Sequence, residues 1–187
     1  MSGSPFDIEL DEMTLARVRR GSLPACETVF RKFQQPAFSV AFRICNCRET
    51  AQEVSQEAFI TAFGKIKQYR GDAPFWGWLR RVVVNHAIST IRRESKASTV
   101  EFQEFHGRAD GGQEQTGLAM DLDSALGALG SEDRAVVWLH DVEGYNHKEI
   151  ATFFGKTESF SKTRLSRARA RLRELLDPEK SSLAAVR

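Results

Sequence analysis

Two stretches of this 187-residue chain carry residue types at spacings suited to chemistry on a polyanion. The first, YRGDAPFWGWLRRVVVN from Tyr69 to Asn85, gathers Tyr69, Phe75, Trp76 and Trp78 around a Gly71-Asp72-Ala73-Pro74 turn, with Arg70, Arg80 and Arg81 beside them. Rings stack on unpaired bases and guanidinium groups neutralise phosphates, so the stretch has the composition of a single-stranded nucleic-acid site. Some rings must also be core, and Trp78, Leu79, Val82 and Val83 are expected to bury together. In the second stretch, no acid interrupts the run from Lys162 to Arg173, which carries Lys162, Arg164, Arg167, Arg169, Arg171 and Arg173. A helix this basic suits a phosphate backbone, although a solvated surface helix carries the same charges.

The elements that must position the second set run from Asn146 to Leu176. Asn146 with Glu149 three residues on is an Asn version of a capping box, and Ile150, Ala151 and Phe154 supply an inward stripe. Gly155 stops that helix. After a Gly155-Lys156-Thr157 turn, a second helix places Leu165, Ala168, Leu172, Leu175 and Leu176 on its inner side. Two helices joined by a short glycine turn, the second cationic, describe a helix-turn-helix that lays its second helix in the DNA major groove. Ser161, Lys162, Thr163, Arg164, Ser166 and Arg167 then lie at the end that reaches base edges, and Arg169 and Arg171 fall where phosphates are held.

The rest of the chain reads as helix and connector. Glu12 to Arg20 forms a first helix with Leu15 and Val18 inward. Ala25 to Asn46 carries Phe30, Phe33, Phe38, Phe42 and Ile44 at buried-helix spacing, as one helix or two bent near Pro36. Thr50 to Ile66 is amphipathic: Val54, Ala58, Phe59, Ala62, Phe63 and Ile66 share an apolar sector, and Gln52, Glu53, Gln56 and Glu57 a polar one, which is either solvated or a docking face for another protein. Ser95 to Gly117 loses periodicity and reads as an acidic linker. Leu118 to Gly130 adds a helix with Leu122, Leu126 and Leu129 inward, and Ser131 starts another running through Leu139, with His140 to Gly144 as a turn. An acidic lead-in from Ser2 to Asp11 and a short tail after Pro178 complete an all-α chain.

The formal net charge of +2 conceals alternation by segment: seven bases against Asp72 alone between Lys65 and Arg93, then four acids against Arg108 between Ala97 and Gly117. Cys26, Cys45 and Cys47 lack metal-site or disulfide-framework spacing, so reduced thiols in a cytoplasmic protein are expected, with a Cys45/Cys47 redox pair the lesser reading. No membrane span or signal peptide is read from the chain. His86, His106, His140 and His147 are scattered, and neither a phosphate-binding glycine loop nor a metal constellation is present in the pattern, so no cofactor, metal or enzymatic activity is expected.

The segments AQEVSQEAFITAFGKI, YRGDAPFWGWLRRVVVNHA, LHDVEGYNHKEIA and SKTRLSRARARLRELL, in this order and separation, resemble a bacterial RNA polymerase sigma factor of the extracytoplasmic function group of the sigma-70 family. The resemblance covers nearly the whole chain. It implies a sigma-2 domain over 1–94, a flexible linker over 95–117 and a sigma-4 domain with the helix-turn-helix over 118–187. It further implies that Glu53, Gln56, Glu57 and Phe59 dock on the beta-prime clamp helices of core RNA polymerase, with the beta flap a second contact. Tyr69, Arg70, Gly71, Asp72, Phe75, Trp76, Arg81 and Asn85 would capture the minus-10 element as a melted strand. Ser161, Lys162, Thr163, Arg164, Ser166, Arg167, Arg169 and Arg171 would hold the minus-35 element as duplex. The linker would thread toward the RNA exit path, an anti-sigma protein would be a partner, and the setting would be a stress response. A stand-alone helix-turn-helix regulator is the alternative. Where the family commonly reads Gly-Ile-Pro-Val-Gly-Thr-Val-Lys-Ser, this chain has Gly155-Lys156-Thr157-Glu158-Ser159-Phe160-Ser161-Lys162-Thr163, and Phe160 either packs inward or meets a thymine methyl.

Overall fold

The computed structural model describes residues 10–98 and 117–176. Among them are eight α-helices, a 3₁₀ turn and a π turn, and no strand. The acidic lead-in, most of the expected linker and the tail after Pro178 lie outside the described residues.

The chain divides into two compact units, Met1–Thr90 and Ile91–Arg187. In the first, α1 (Glu12–Arg19) starts where Asp11 accepts a hydrogen bond from the Thr14 backbone, and hydrogen bonding with the Thr14 side chain, then with its backbone, holds the Asp11 carboxyl below its ordinary pKa. It ends where Gly21 turns left-handed at φ 80°. Helix α2 (Leu23–Cys45) is continuous through Pro36. A proline inside a helix removes one hydrogen bond and crowds the preceding turn. Here Pro36 is itself buried in a stripe with Val29, Phe33, Ala37, Val40, Ala41 and Ile44, and burial of that stripe outweighs the local cost. Asn46, at φ 56°, closes α2 by donating its backbone N–H to the Phe42 carbonyl.

Helix α3 (Arg48–Gly64) packs on α2 through Ala51, Val54, Ala58, Phe59 and Ala62; the small alanines allow close approach. A 3₁₀ turn (Ile66–Gln68) leads to the Tyr69–Pro74 loop and then to α4 (Phe75–Ser98). Helix α4 runs four residues into the segment expected as linker. Lys96 and Ala97 favour helix, and the expected loss of apolar periodicity did not register that propensity.

In the second unit, α5 (Gly117–Gly127) buries Ala125, and Leu129 follows it into the core. Leu122, expected inward, is 45% exposed, and Leu126 is only partly covered. Helix α6 (Ser131–Val137) continues into the π turn (Trp138–Val142), where sequence reading placed the end of an α-helix and a simple turn. The Glu143 backbone N–H donates to the Trp138 carbonyl, the wider spacing of a π turn, and Trp138 Nε1 donates to Glu143 at 3.1 Å. Helices α7 (His147–Phe154) and α8 (Glu158–Leu176) complete the unit, with α8 packed on α5, α6 and α7. The three cysteines are free and half-buried.

Candidate nucleic-acid interface

The α7–α8 pair is built as its sequence dictates. The Asn146 side chain accepts from the Glu149 backbone at 3.0 Å and Glu149 accepts from the Asn146 backbone at 3.0 Å, a reciprocal cap. Gly155 sits at φ 60°, where a side chain would be strained, and its N–H closes the helix end. Ile150, Ala151, Phe154, Leu165 and Ala168 are buried as expected; Leu172 and Leu175 are half-buried and Leu176 is largely exposed. Phe160 packs against Phe154, ring centres 5.3 Å apart, with the Arg164 guanidinium over its other side, so its place is structural.

The cationic side chains of α8 fall into two groups. Arg164 is paired with Glu132 and Asp133 in the first turn of α6, and Arg167 forms a forked pair with Asp133. Arg169 forms a forked pair with Asp141 of the π turn, and Arg171 pairs with Glu174. Carboxylates from 28 to 34 residues upstream therefore offset part of a charge that is uninterrupted in sequence. Lys162, whose Nζ lies 3.8 Å from Glu158 one turn earlier, recurs with Thr163, Ser166, Ala170 and Arg173 at helical spacing on the exposed surface, and Lys162, Thr163, Ser166, Arg167 and Ala170 line an open recess of about 500 Å³.

Two expected base readers lie apart from the open stripe. Ser161 has no exposed surface: its hydroxyl meets His147 Nδ1 at 3.0 Å, across the α7–α8 corner. Arg164 is held by two carboxylates, with its guanidinium over the Phe160 ring. Arg173, which the sequence-based site omitted, joins the open stripe; its i+7 spacing from Ser166 was the available signal.

In the first unit, the aromatic residues of the Tyr69–Asn85 stretch bind one another. Tyr69, at 9% exposure, donates its hydroxyl to the Ala73 carbonyl at 2.6 Å, and Arg19 donates to the Tyr69 carbonyl at 2.7 Å. Burial pushes the Tyr69 phenol pKa up. Phe75 meets Tyr69 and Phe33, and Trp76 stacks on Phe33 with planes 8° apart. Tyr69, Phe75 and Trp76, expected to be offered to bases, are buried in this structure, Tyr69 and Phe75 against Trp78, and Phe75 and Trp76 against Phe33. Composition does not say which ring faces inward. Trp78, expected in the core, is half-buried, its ring 5.6 Å from that of Tyr69 and 5.7 Å from that of Phe75, and it stands at i, i+3 and i+7 with exposed Arg81 and Asn85 on α4. Arg70, Gly71 and Asp72 are exposed, and Gly71 takes φ 87° with open space around it, so the backbone conformation rather than crowding favours glycine there.

On α3, Glu53, Gln56 and Glu57 are exposed as expected, but Phe59 is 3% exposed and packs edge-on against Phe30 at 4.9 Å. The apolar residue on the outer face is Ile60, 72% exposed, at i+3 and i+4 from Glu57 and Gln56. His86 of α4 reaches this face, with Nδ1 3.4 Å from Glu57 and Nε2 2.9 Å from the Thr61 hydroxyl. Among the described residues, no group of three or more His, Cys, Asp or Glu side chains gathers as a metal site, and no helix is long and apolar enough to cross a membrane.

Two helical units, one ending in a helix-turn-helix with an open basic stripe, define a bipartite DNA-binding protein. Residues 29–97 match the family described as Sigma-70 region 2, and residues 119–172 the one described as Sigma-70, region 4. The chain is 32% identical over 167 residues to the ECF RNA polymerase sigma factor SigM of Mycobacterium tuberculosis, covering 89% of this chain and 84% of the relative. It is 28% identical over 172 residues to the ECF RNA polymerase sigma factor SigE of Mycolicibacterium smegmatis, covering 88% of this chain and 66% of that longer protein. The sigma factor RpoE of Bartonella quintana, solved in complex with the anti-sigma factor NepR, has a similar fold at a TM-score of 0.57 and 21% identity, over 81% of this chain and 96% of that one. The chain belongs to the sigma-70 family of RNA polymerase sigma factors, in its extracytoplasmic function group, whose members serve promoter-specific transcription initiation.

Proposed function

We propose that this chain docks on bacterial core RNA polymerase in the cytoplasm and carries it to promoters by holding two DNA elements with separate units. The outer face of α3, with Glu53, Gln56, Glu57 and Ile60, is the docking surface for the beta-prime clamp helices: carboxylates around one exposed aliphatic side chain suit a basic helical partner. The beta flap contacts the second unit. Residues 1–94 act as sigma-2 and 118–187 as sigma-4, joined through 95–117. The observation that carries the reading is the open polar stripe of α8, Lys162, Thr163, Ser166 and Arg173, in a chain that also matches Sigma-70 region 2.

Arg70, Asp72, Arg81 and Asn85, with Trp78, meet the melted minus-10 strand, and the packing of Trp78 with Tyr69 and Phe75 holds the loop in shape. Unstacking a base costs a few kcal/mol and stacking on a ring returns roughly 1–3 kcal/mol, so the half-buried Trp78 ring tips local opening within an assembled complex. The protein performs no catalysis of its own in this role. An anti-sigma protein, as in the complex of the Bartonella relative, is the regulator.

Run-off transcription with core polymerase on a genomic promoter library tests this. Discrete new start sites sharing two spaced upstream elements are expected. Duplex binding by the free chain without any new start site overturns the reading in favour of a stand-alone regulator.

A further inference from the structure

One edge of the α8 stripe curves into a recess of about 320 Å³ at the α7–α8 corner, lined by His147, Lys162, Ser166, Arg169 and Arg173 among others. His147, the first residue of α7, is held in place rather than merely exposed. Its Nδ1 lies 3.0 Å from the hydroxyl of buried Ser161, and its ring stacks on His140 at 4.7 Å with planes 27° apart. His140 Nδ1 is 2.8 Å from Asp141, and Asp141 grips Arg169 with both oxygens. Ring and guanidinium are thus fixed by one connected network. His147 Nε2 has no protein partner among the described residues.

We propose that this recess is a subsite for one DNA phosphodiester in which His147 is a titratable ligand, so that duplex binding by α8 takes up a proton. The proposal rests on the reading of α8 as the duplex-binding helix. When His147 is doubly protonated, Nδ1–H donates to the Ser161 oxygen and Nε2–H is left to donate to a phosphate oxygen, beside Lys162, Arg169 and Arg173. The neutral ring keeps both contacts as the Nε2–H tautomer, with Nδ1 accepting from the Ser161 hydroxyl, but it brings no positive charge to the phosphate.

The charges that face His147 are His140 and Asp141 from the π turn, and Glu158, Lys162, Arg169 and Arg173 from α8; Lys148 and Glu149 neighbour it on α7. Without DNA, burial first, then His140 and Lys162, hold its pKa below the ordinary 6.5, against an opposite pull from Glu158. A bound phosphodiester adds a negative charge and an acceptor, which favours the protonated ring and raises its pKa. Affinity therefore rises as pH falls through the window between the bound-state and free-state values, and levels off below both. The gain is about tenfold for each unit separating the two.

The test uses holoenzyme assembled from the full chain and a duplex carrying only the upstream element of a promoter selected by it. Affinity is measured by fluorescence anisotropy from pH 8.0 to 5.5 at constant ionic strength, a range chosen to span about a unit or more on either side of an ordinary histidine. Wild type is expected to bind about fivefold to tenfold more tightly at the acidic end, an estimate equal to a shift of about one unit. His147→Gln is expected to lie flat at the wild type's alkaline level, and His147→Arg to lie flat and tight. His140→Gln, which keeps the ligand but removes the ring stacked on it that lowers its pKa, is expected to move the pH effect to higher pH, and it stands in should the His147 variants fail to assemble with polymerase. Calorimetry in two buffers of different ionisation enthalpy should register proton uptake by wild type and none by His147→Gln. A wild type without pH dependence, or variants at both positions that parallel wild type, overturns the proposal. Failure to bind any duplex at any pH instead overturns the reading of α8 on which it rests.

Discussion

Arg169 and Asp141, 28 residues apart, are joined by two parallel contacts, Nε to one carboxylate oxygen at 3.1 Å and a terminal nitrogen to the other at 2.5 Å. The pair fastens the recognition helix to the π turn that precedes the helix-turn-helix, and the same carboxylate holds His140. Burial alone would raise the Asp141 pKa; the hydrogen bonds from Arg169 and His140 outweigh it and leave the carboxyl below 3.8, while the same pairing raises the Arg169 pKa.

Asp141→Asn should therefore lower stability by about 0.5–1 kcal/mol at neutral pH, a figure already discounted for the partial exposure of Arg169. A carboxyl depressed in the folded state contributes above its unfolded value of 3.8, and that contribution is lost as pH falls through the folded-state value. Urea unfolding of both proteins at pH 7 and near pH 3 checks this: the gap should shrink in acid, and a constant gap would place the effect elsewhere.

Ile60→Glu should weaken binding to core polymerase about tenfold with little change in melting temperature, because the residue is exposed and makes no core contact. Phe59→Ala should do the reverse, costing roughly 3 kcal/mol of stability through a cavity beside Phe30. Competition for core polymerase against another sigma factor, with parallel thermal melts, separates the two. Glu53→Lys with Glu57→Lys should shift the same competition curve.

Lys162→Ala should reduce duplex affinity severalfold and lower the slope of log affinity against log salt by about 1, as expected for one lost phosphate contact. Arg164→Ala should instead lower stability, by about 1 kcal/mol, since Glu132 loses its counter-charge and Asp133 keeps only Arg167. Salt titrations of holoenzyme on the upstream duplex, beside denaturation curves, distinguish a DNA contact from a brace within the domain.

Asn85→Ala and Trp78→Ala should impair open-complex formation more than closed-complex formation, with Asn85→Ala leaving stability unchanged because the residue is exposed. Permanganate reactivity of promoter thymines reads the melted strand. Unaltered reactivity in both variants would remove this stripe from the minus-10 site.

The helix-turn-helix was legible nearly in full, because a cap, a glycine stop and an i, i+3, i+4 stripe are written within a few residues of one another. Asn146, Glu149 and Gly155 do in the fold what their types predict. The aromatic loop was legible only as a composition. Tyr69, Phe75, Trp76 and Trp78 lie within ten positions, yet which of them turn inward depends on Phe33, brought alongside by the packing of α4 against α2.

The sequence by itself determined the helices, their caps and the family, since hydrogen bonds and side-chain periodicity along a helix are local and can be read one turn at a time. Only the tertiary structure decided which side chains remain available to a partner. Phe59 and Ile60 are adjacent in sequence and opposite in exposure. Arg164, Arg167 and Arg169 belong to one basic run, yet they are engaged by Glu132, Asp133 and Asp141 from a distant segment, and His147 meets Ser161 across a helix corner. Ion pairs and burial depend on distances in space, and those are set by packing between elements whose spacing along the chain carries no record of it.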